Sequence, residues 1–90
     1  MDEERKVRYS KIFLKSAAKL PARVVRQAEE KERIFREDPF EARLRTHKLS
    51  GKDAGAWAFW INESYRIKFI FLPNKEVLFL DIGTHKIYKS

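Results

Sequence analysis

The sequence predicts an α+β fold in which a small antiparallel sheet carries its helices on one face. Two shifts in pattern point to it. Between Pro21 and Arg36 the apolar residues recur at helical spacing, whereas from Trp57 to Ile82 they recur with the period of a strand. The segments Asn62-Glu63-Ser64 and Pro73-Asn74-Lys75 break the second stretch into three parts with turn-forming residues. A strand, helices and then a three-stranded meander cannot bury both patterns except by laying helix on sheet.

Each element follows from local chemistry. Tyr9 to Leu14 is short and β-prone and ends where Lys15-Ser16-Ala17-Ala18 breaks its pattern, so a first strand is expected there. Ser16 is suited to cap a short helical turn through Leu20, and Pro21 to be the first residue of the main helix, where its missing N–H costs nothing. Val24, Ala28, Lys31 and Phe35 follow a 4, 3, 4 spacing along one side of that helix, which stops at Glu37-Asp38-Pro39. A basic connection, Glu41 to Lys52, leads to the meander. There Trp57, Phe59 and Ile61 alternate with Ala58 and Trp60, and Ile67, Phe69 and Phe71 alternate with Arg66, Lys68 and Ile70. If Ile67 and Phe69 face the helix, Trp60, Arg66 and Lys68 face the other way. That second face, cationic and carrying an indole, is a plausible bed for RNA.

Ninety residues are read as one domain, 1–90, with a single core. No cysteine is present, which excludes disulfides, thiolate metal sites and a cysteine nucleophile, and is in keeping with a reducing cytoplasm. The apolar runs near Ala54 to Ile61 and Ile67 to Pro73 fall far short of the roughly 20 residues of a membrane helix, and Met1-Asp2-Glu3-Glu4 is acidic where a secretory signal begins basic. The expectation is a soluble cytoplasmic protein with no membrane partner. Net charge is +7, from 20 Lys and Arg against 13 Asp and Glu. Arg43, Arg45, Lys48, Lys52, Arg66, Lys68, Lys75, Lys86 and Lys89 against Asp53, Glu63, Glu76 and Asp81 place most of the excess after residue 42. Such a surface favours a polyanion or an acidic protein, since cations set on phosphates release counterions.

The two histidines, His47 and His85, lie just before and just after the meander, and Arg66 begins its middle strand. An antiparallel sheet can bring the three to one edge of one face. Metal-free cleavage of RNA needs a base for the 2′-OH proton, a fixed cation for the phosphorane and an acid for the departing 5′ oxygen, and two histidines with an arginine meet that need. The spacing leaves other roles open: a surface histidine, a structural arginine, a packed Tyr88. Two histidines with Asp81 could hold a metal, but Asp81 is better suited to accept hydrogen bonds at its strand's end. No His-Glu-x-x-His, Gly-rich phosphate loop or Gly-x-Ser-x-Gly elbow is present.

Leu44-Arg45-Thr46-His47-Lys48-Leu49-Ser50-Gly51, Gly55-Ala56-Trp57-Ala58-Phe59, Asn62-Glu63-Ser64-Tyr65-Arg66-Ile67 and Leu80-Asp81-Ile82-Gly83-Thr84-His85 together resemble the RelE/ParE superfamily of toxin–antitoxin toxins, and within it the histidine-bearing messenger RNA endonucleases. The resemblance implies that Arg66 stabilises the transition state, that His85 transfers a proton, that His47 stands where relatives carry a base, and that Tyr88 stacks on or orients the scissile nucleotide. Tyr88 follows His85 by three residues where several relatives place the aromatic at four. The strand of Trp57, Phe59 and Ile61 lacks the catalytic lysines of the family's lysine-rich branch. Arg45, Lys48, Lys52, Trp60, Lys68 and Lys86 are the expected RNA contacts. The resemblance further implies a cognate antitoxin, messenger RNA and ribosomal RNA as partners, with no cofactor and no metal. Two rival readings share the fold or the basic face: a ParE-type gyrase inhibitor, which needs no proton-transfer set, and a non-catalytic RNA-binding module.

Overall fold

β1 (Lys6–Tyr9) leads through Ser10 into α1 (Lys11–Ala18) and α2 (Ala22–Glu37) in a computed structural model that describes residues 4–88. Met1 to Glu3 and Lys89, which entered the reading of charge, lie outside the described residues. After a 3-10 turn (Ala42–Leu44) come β2 (His47–Lys48), a second 3-10 turn (Gly51–Asp53), β3 (Trp57–Trp60), β4 (Arg66–Leu72), β5 (Glu76–Gly83) and a third turn (His85–Ile87). The strands form one sheet in the order β1-β5-β4-β3-β2. The meander and the α+β class are as the sequence predicts. The sheet is mixed rather than wholly antiparallel, because β1 joins β5 in parallel, Lys6 opposite Glu76 through Tyr9 opposite Phe79. No helix among the described residues is long and apolar enough to cross a membrane.

The first strand expected over Tyr9 to Leu14 is displaced. Ser10 is the reason: its backbone is extended, its Oγ accepts from Phe13 N at 3.0 Å, and it thereby caps α1 and turns Ile12, Phe13 and Leu14 into helix. The true strand hides in charged residues, Lys6-Val7-Arg8-Tyr9, as edge strands often do. Ser16 caps nothing and instead donates to Asp81 Oδ1 at 2.7 Å, tying α1 to β5. Pro21 sits one place earlier than expected, at the N-cap of α2.

Val24, Ala28 and Phe35 of α2 are buried, so the predicted stripe is the buried one. Lys31 on that stripe donates from Nζ to Ile61 O at 3.2 Å. Phe35 stacks on Phe59 with centroids 4.7 Å apart and meets Phe69 and Phe79 edge-on at 4.9 and 5.6 Å. With Phe13, Ile61, Ile67, Val77 and Ile82, these rings form the core between helices and sheet. Each such side chain removed from water contributes about 1.5–3 kcal/mol, which is how so short a chain holds a sheet together.

The opposite face of the sheet is set by register. His47, Ala58, Lys68 and Asp81 form one cross-strand row, and Trp60, Arg66 and Gly83 the next. A β-bulge interrupts β4 and β5 immediately after Lys68, leaving Leu80 without a partner across the ladder. The third turn folds back over this face, and at Gly83 an added Cβ would stand 2.8 Å from Ile87 Cγ2. Only glycine lets the strand end so close beneath the returning chain.

Candidate active site

Arg66 is placed by the turn that precedes it. Asn62 Oδ1 accepts from Ser64 N and Tyr65 N at 2.8 and 2.9 Å, while its Nδ2 donates to Gln27 Oε1 of α2 at 2.8 Å. One amide side chain thus closes the turn and pins it to a helix. Arg66 Nη1 donates to Asn62 O and Tyr65 O at 2.6 and 3.0 Å, which fixes the root of the guanidinium. Its carbon lies 3.8 Å from the centroid of Trp60, in the same row of the sheet. A cation held this way needs little reordering before it meets an anion. Arg66 lines a cleft of about 440 Å³ with Glu63, Ser64, Thr84, His85 and Lys86.

The indole serves a second arginine. Arg45 adopts the left-handed conformation (φ 50) after the 3-10 turn, costly for a residue with a side chain, and its guanidinium carbon lies 4.2 Å from the Trp60 centroid. The Arg45 carbonyl takes a hydrogen bond from His47 Nδ1 at 2.8 Å. Since a carbonyl only accepts, Nδ1 carries the proton and the neutral ring presents its lone pair at Nε2, into solvent. His47 is exposed, as are Arg45 and Lys52.

At the other side of the cleft, Thr84 caps the third turn and His85 and Lys86 stand exposed on it. Tyr88 follows, half-buried, and its hydroxyl has no hydrogen-bond partner among the described residues. Burial pushes the phenol above its ordinary value, the Arg66 cation pulls it back down, and the Asp53 carboxylate raises it further. Arg66 is close enough to act on the phenol, but its Nη1 is aligned on the two carbonyls instead. A phenol so placed stays protonated at neutral pH and can donate but not act as a base.

Lys68 departs from expectation. It is buried at 7% exposure, and its Nζ donates to Asp53 Oδ1 at 3.1 Å and to Ile87 O at 3.0 Å, so it does not face solvent as a phosphate contact would. The returning third turn and the Gly51–Asp53 turn cover the middle of the face that the strand pattern alone leaves open. Lys48 is placed away from the others too. Next to His47 on a strand, it points to the opposite face, where its Nζ lies 5.5 Å from the ring of Trp57.

The structure therefore brings Arg66, His85 and Lys86 to one cleft, with Trp60 and Arg45 beside it and Tyr88 beneath. His47 shares the face but lies on β2, two strands from Arg66, about 10 Å at ordinary strand spacing. Sequence reasoning passed over Asn62 as a mere turn residue; its position four before the arginine and its bond to Gln27 are visible only once α2 is in place. Among the described residues no three of His, Asp and Glu gather as metal ligands.

No family model matches the chain, and no curated protein matches its sequence. Solved structures do. The YoeB/ParE toxin from Agrobacterium tumefaciens superposes with a TM-score of 0.76 over 89% of this chain and 98% of its own, at 18% identity. YafQ from E. coli gives 0.76 over 93% and 97%, also at 18% identity. The archaeal RelE–RelB complex from Pyrococcus horikoshii gives 0.74 over 90% and 94%, at 20% identity. The chain has the RelE/ParE toxin fold. At these identities the likeness is one of fold, and within that fold Arg66 opens the middle strand of the meander while His85 follows its last strand.

Proposed function

We propose that this protein is a metal-independent endoribonuclease that cuts messenger RNA, the toxin of a toxin–antitoxin pair. The observation that carries the reading is the shared cleft of Arg66 and His85, in which a pre-anchored guanidinium and an exposed imidazole face the same space. A phosphodiester seated there meets the fixed cation and the acid that 2′-OH attack requires, and the ribose whose 2′-OH attacks reaches from the cleft toward β2 to meet the base. His47 Nε2 takes the 2′-OH proton as the 2′ oxygen bonds to phosphorus. Arg66, bound to the protein through Nη1, turns its remaining N–H groups to the non-bridging oxygens as charge builds on them. His85, protonated, gives its proton to the 5′ oxygen as that bond breaks, leaving a 2′,3′-cyclic phosphate and a 5′-OH. Tyr88 orients the nucleotide, and Arg45, Lys52 and Lys86 hold neighbouring phosphates, with Trp60 backing the two arginines.

RelE of Pyrococcus horikoshii and YafQ of E. coli are seen in complexes with RelB and DinJ. A cognate antitoxin is the corresponding partner here. Net charge +7 favours an acidic one, and Ile12 and Leu14, 62% and 55% exposed on α1, offer apolar surface for it. The working setting is the cytoplasm, with the message held on the ribosome.

Two histidines acting as base and acid make the single-turnover rate a bell against pH, since one must be neutral while the other is protonated. His85→Gln keeps a polar side chain but cannot deliver a proton, and the expected loss is on the order of 10²-fold or more on programmed ribosomes, with message binding retained. Discrete new 5′ ends in transcripts after induction are expected alongside. A His85→Gln protein cutting at the parental rate across the pH range would remove the histidine mechanism, and gyrase poisoning without new 5′ ends would replace it.

A further inference from the structure

The two histidine-bearing segments lie on different parts of the sheet, yet both are tied to one buried ammonium. Asp53 belongs to the turn that follows β2, three residues after Ser50 and six after His47. Ile87 belongs to the turn that carries His85. Lys68, on β4 between them, donates to both, at 3.1 Å to Asp53 Oδ1 and 3.0 Å to Ile87 O. We propose that Lys68 is a positioning residue whose buried ammonium locks the His85 turn, and through Asp53 the turn after His47, to the strand that begins with Arg66.

Three observations support this. First, a buried ion pair is a poor source of stability. Removing two charges from water costs several kcal/mol each, and apolar residues of similar volume often do as well or better. In its own row position 68 is flanked by Ala58 and by Asp81, whose Oδ1 is already engaged by Ser16 Oγ and Ile82 N. Second, an apolar side chain could not make the bond to Ile87 O. That bond joins the backbone of residues 85–88 to the sheet, whereas Ile87 N and Tyr88 N turn back to Thr84 O and His85 O within the same turn. Third, the close approach of Ile87 to Gly83 brings the turn down onto the strand but fixes no direction, as an apolar contact is non-directional. The hydrogen bond from Lys68 supplies the direction. The bulge immediately after Lys68 interrupts the ladder at the same point.

The proposal rests on the nuclease reading for its effect on rate, but not for its effect on order. The test is the paired variant Asp53→Asn with Lys68→Met, which removes both charges of the Lys68–Asp53 pair together. The expected protein melts at or above the parental temperature and binds a 2′-deoxy, uncleavable message as tightly. Its kcat falls 10- to 100-fold with KM unchanged, since small misplacement of a reacting group is that costly. Backbone amide relaxation of residues 85–88 shows lowered order parameters while the rest of β4 and β5 is unchanged. A merely structural pair would leave kcat per folded molecule and the order of residues 85–88 as they were, and that result overturns the proposal. Arg66→Lys measured alongside separates the two failures. If the parent and Arg66→Lys cut equally or neither cuts, the nuclease reading fails, and the order parameters alone then decide for or against the lock.

Discussion

The two faces of the sheet are built from alternate residues of the same strands, yet they are held by different forces. On the helix side, Phe35, Phe59, Phe69 and Phe79 meet ring against ring with no exposure, and the contact is broad, apolar and redundant. On the other side, Arg66, Trp60, Arg45, Lys68 and the His85 turn are held by a few directed bonds to carbonyls, one carboxylate and one indole. Loss of a ring on the first face should be felt everywhere, because a close-packed core shares its strain. Loss of a bond on the second should be felt locally, in geometry and rate, with the fold intact. One residue along a strand separates the two outcomes.

The sharpest break in this comparison is between neighbours three apart on β4. Phe69→Ala opens a cavity at the centre of the rings and should cost about 3–5 kcal/mol, most of the stability of a domain this small. Chemical denaturation would read it; a midpoint that scarcely moves would mean that the strand's faces are assigned backwards. Arg66→Lys should do the reverse. It retains the charge but not the planar fork that grips two oxygens and stacks on Trp60, so cleavage should fall about 10²-fold while the melting temperature stays within a few degrees. Full toxicity in cells at matched expression would take Arg66 out of the mechanism. The smallest effect compares two cations three positions apart. Arg45→Ala should weaken binding of a short RNA by a few-fold and flatten its salt dependence by about one counterion, whereas Lys48→Ala, on the helix side, should change neither. Equal losses at 45 and 48 would mean that RNA wraps the edge of the sheet instead of keeping to one face.

What could be read from the sequence follows the same division. The α2 stripe and the meander announce themselves by period, because burial against a broad face demands it at every turn. The alternation also predicts their faces: Ile67 and Phe69 are inward and Arg66 is away from them. The first strand did not announce itself. Lys6, Arg8 and Tyr9 form an edge with little to bury, and a single serine cap diverted the β-prone residues after it into helix. For the candidate site, residue types and their order along the chain place Arg66 and His85 together. They do not reveal that Lys68 turns inward, which depends on Asp53 and Ile87 arriving from segments 15 residues before it and 19 after it. Nor does the sequence separate His47 from Arg66 by two strands, since that depends on a two-residue strand too short to leave a pattern.

The parallel pairing of β1 with β5 sets an order of events during synthesis. Val7 finds its place beside Val77, so the earliest strand to leave the ribosome has no partner until some seventy further residues have been added. Closing so long a loop is slow compared with making a hairpin or a helix. The helices can form meanwhile, but the Arg66 cleft has no far wall until the His85 turn has been made and folded back. A nascent chain still being translated therefore lacks the cleft in which Arg66 and His85 meet, and the topology completes that cleft last.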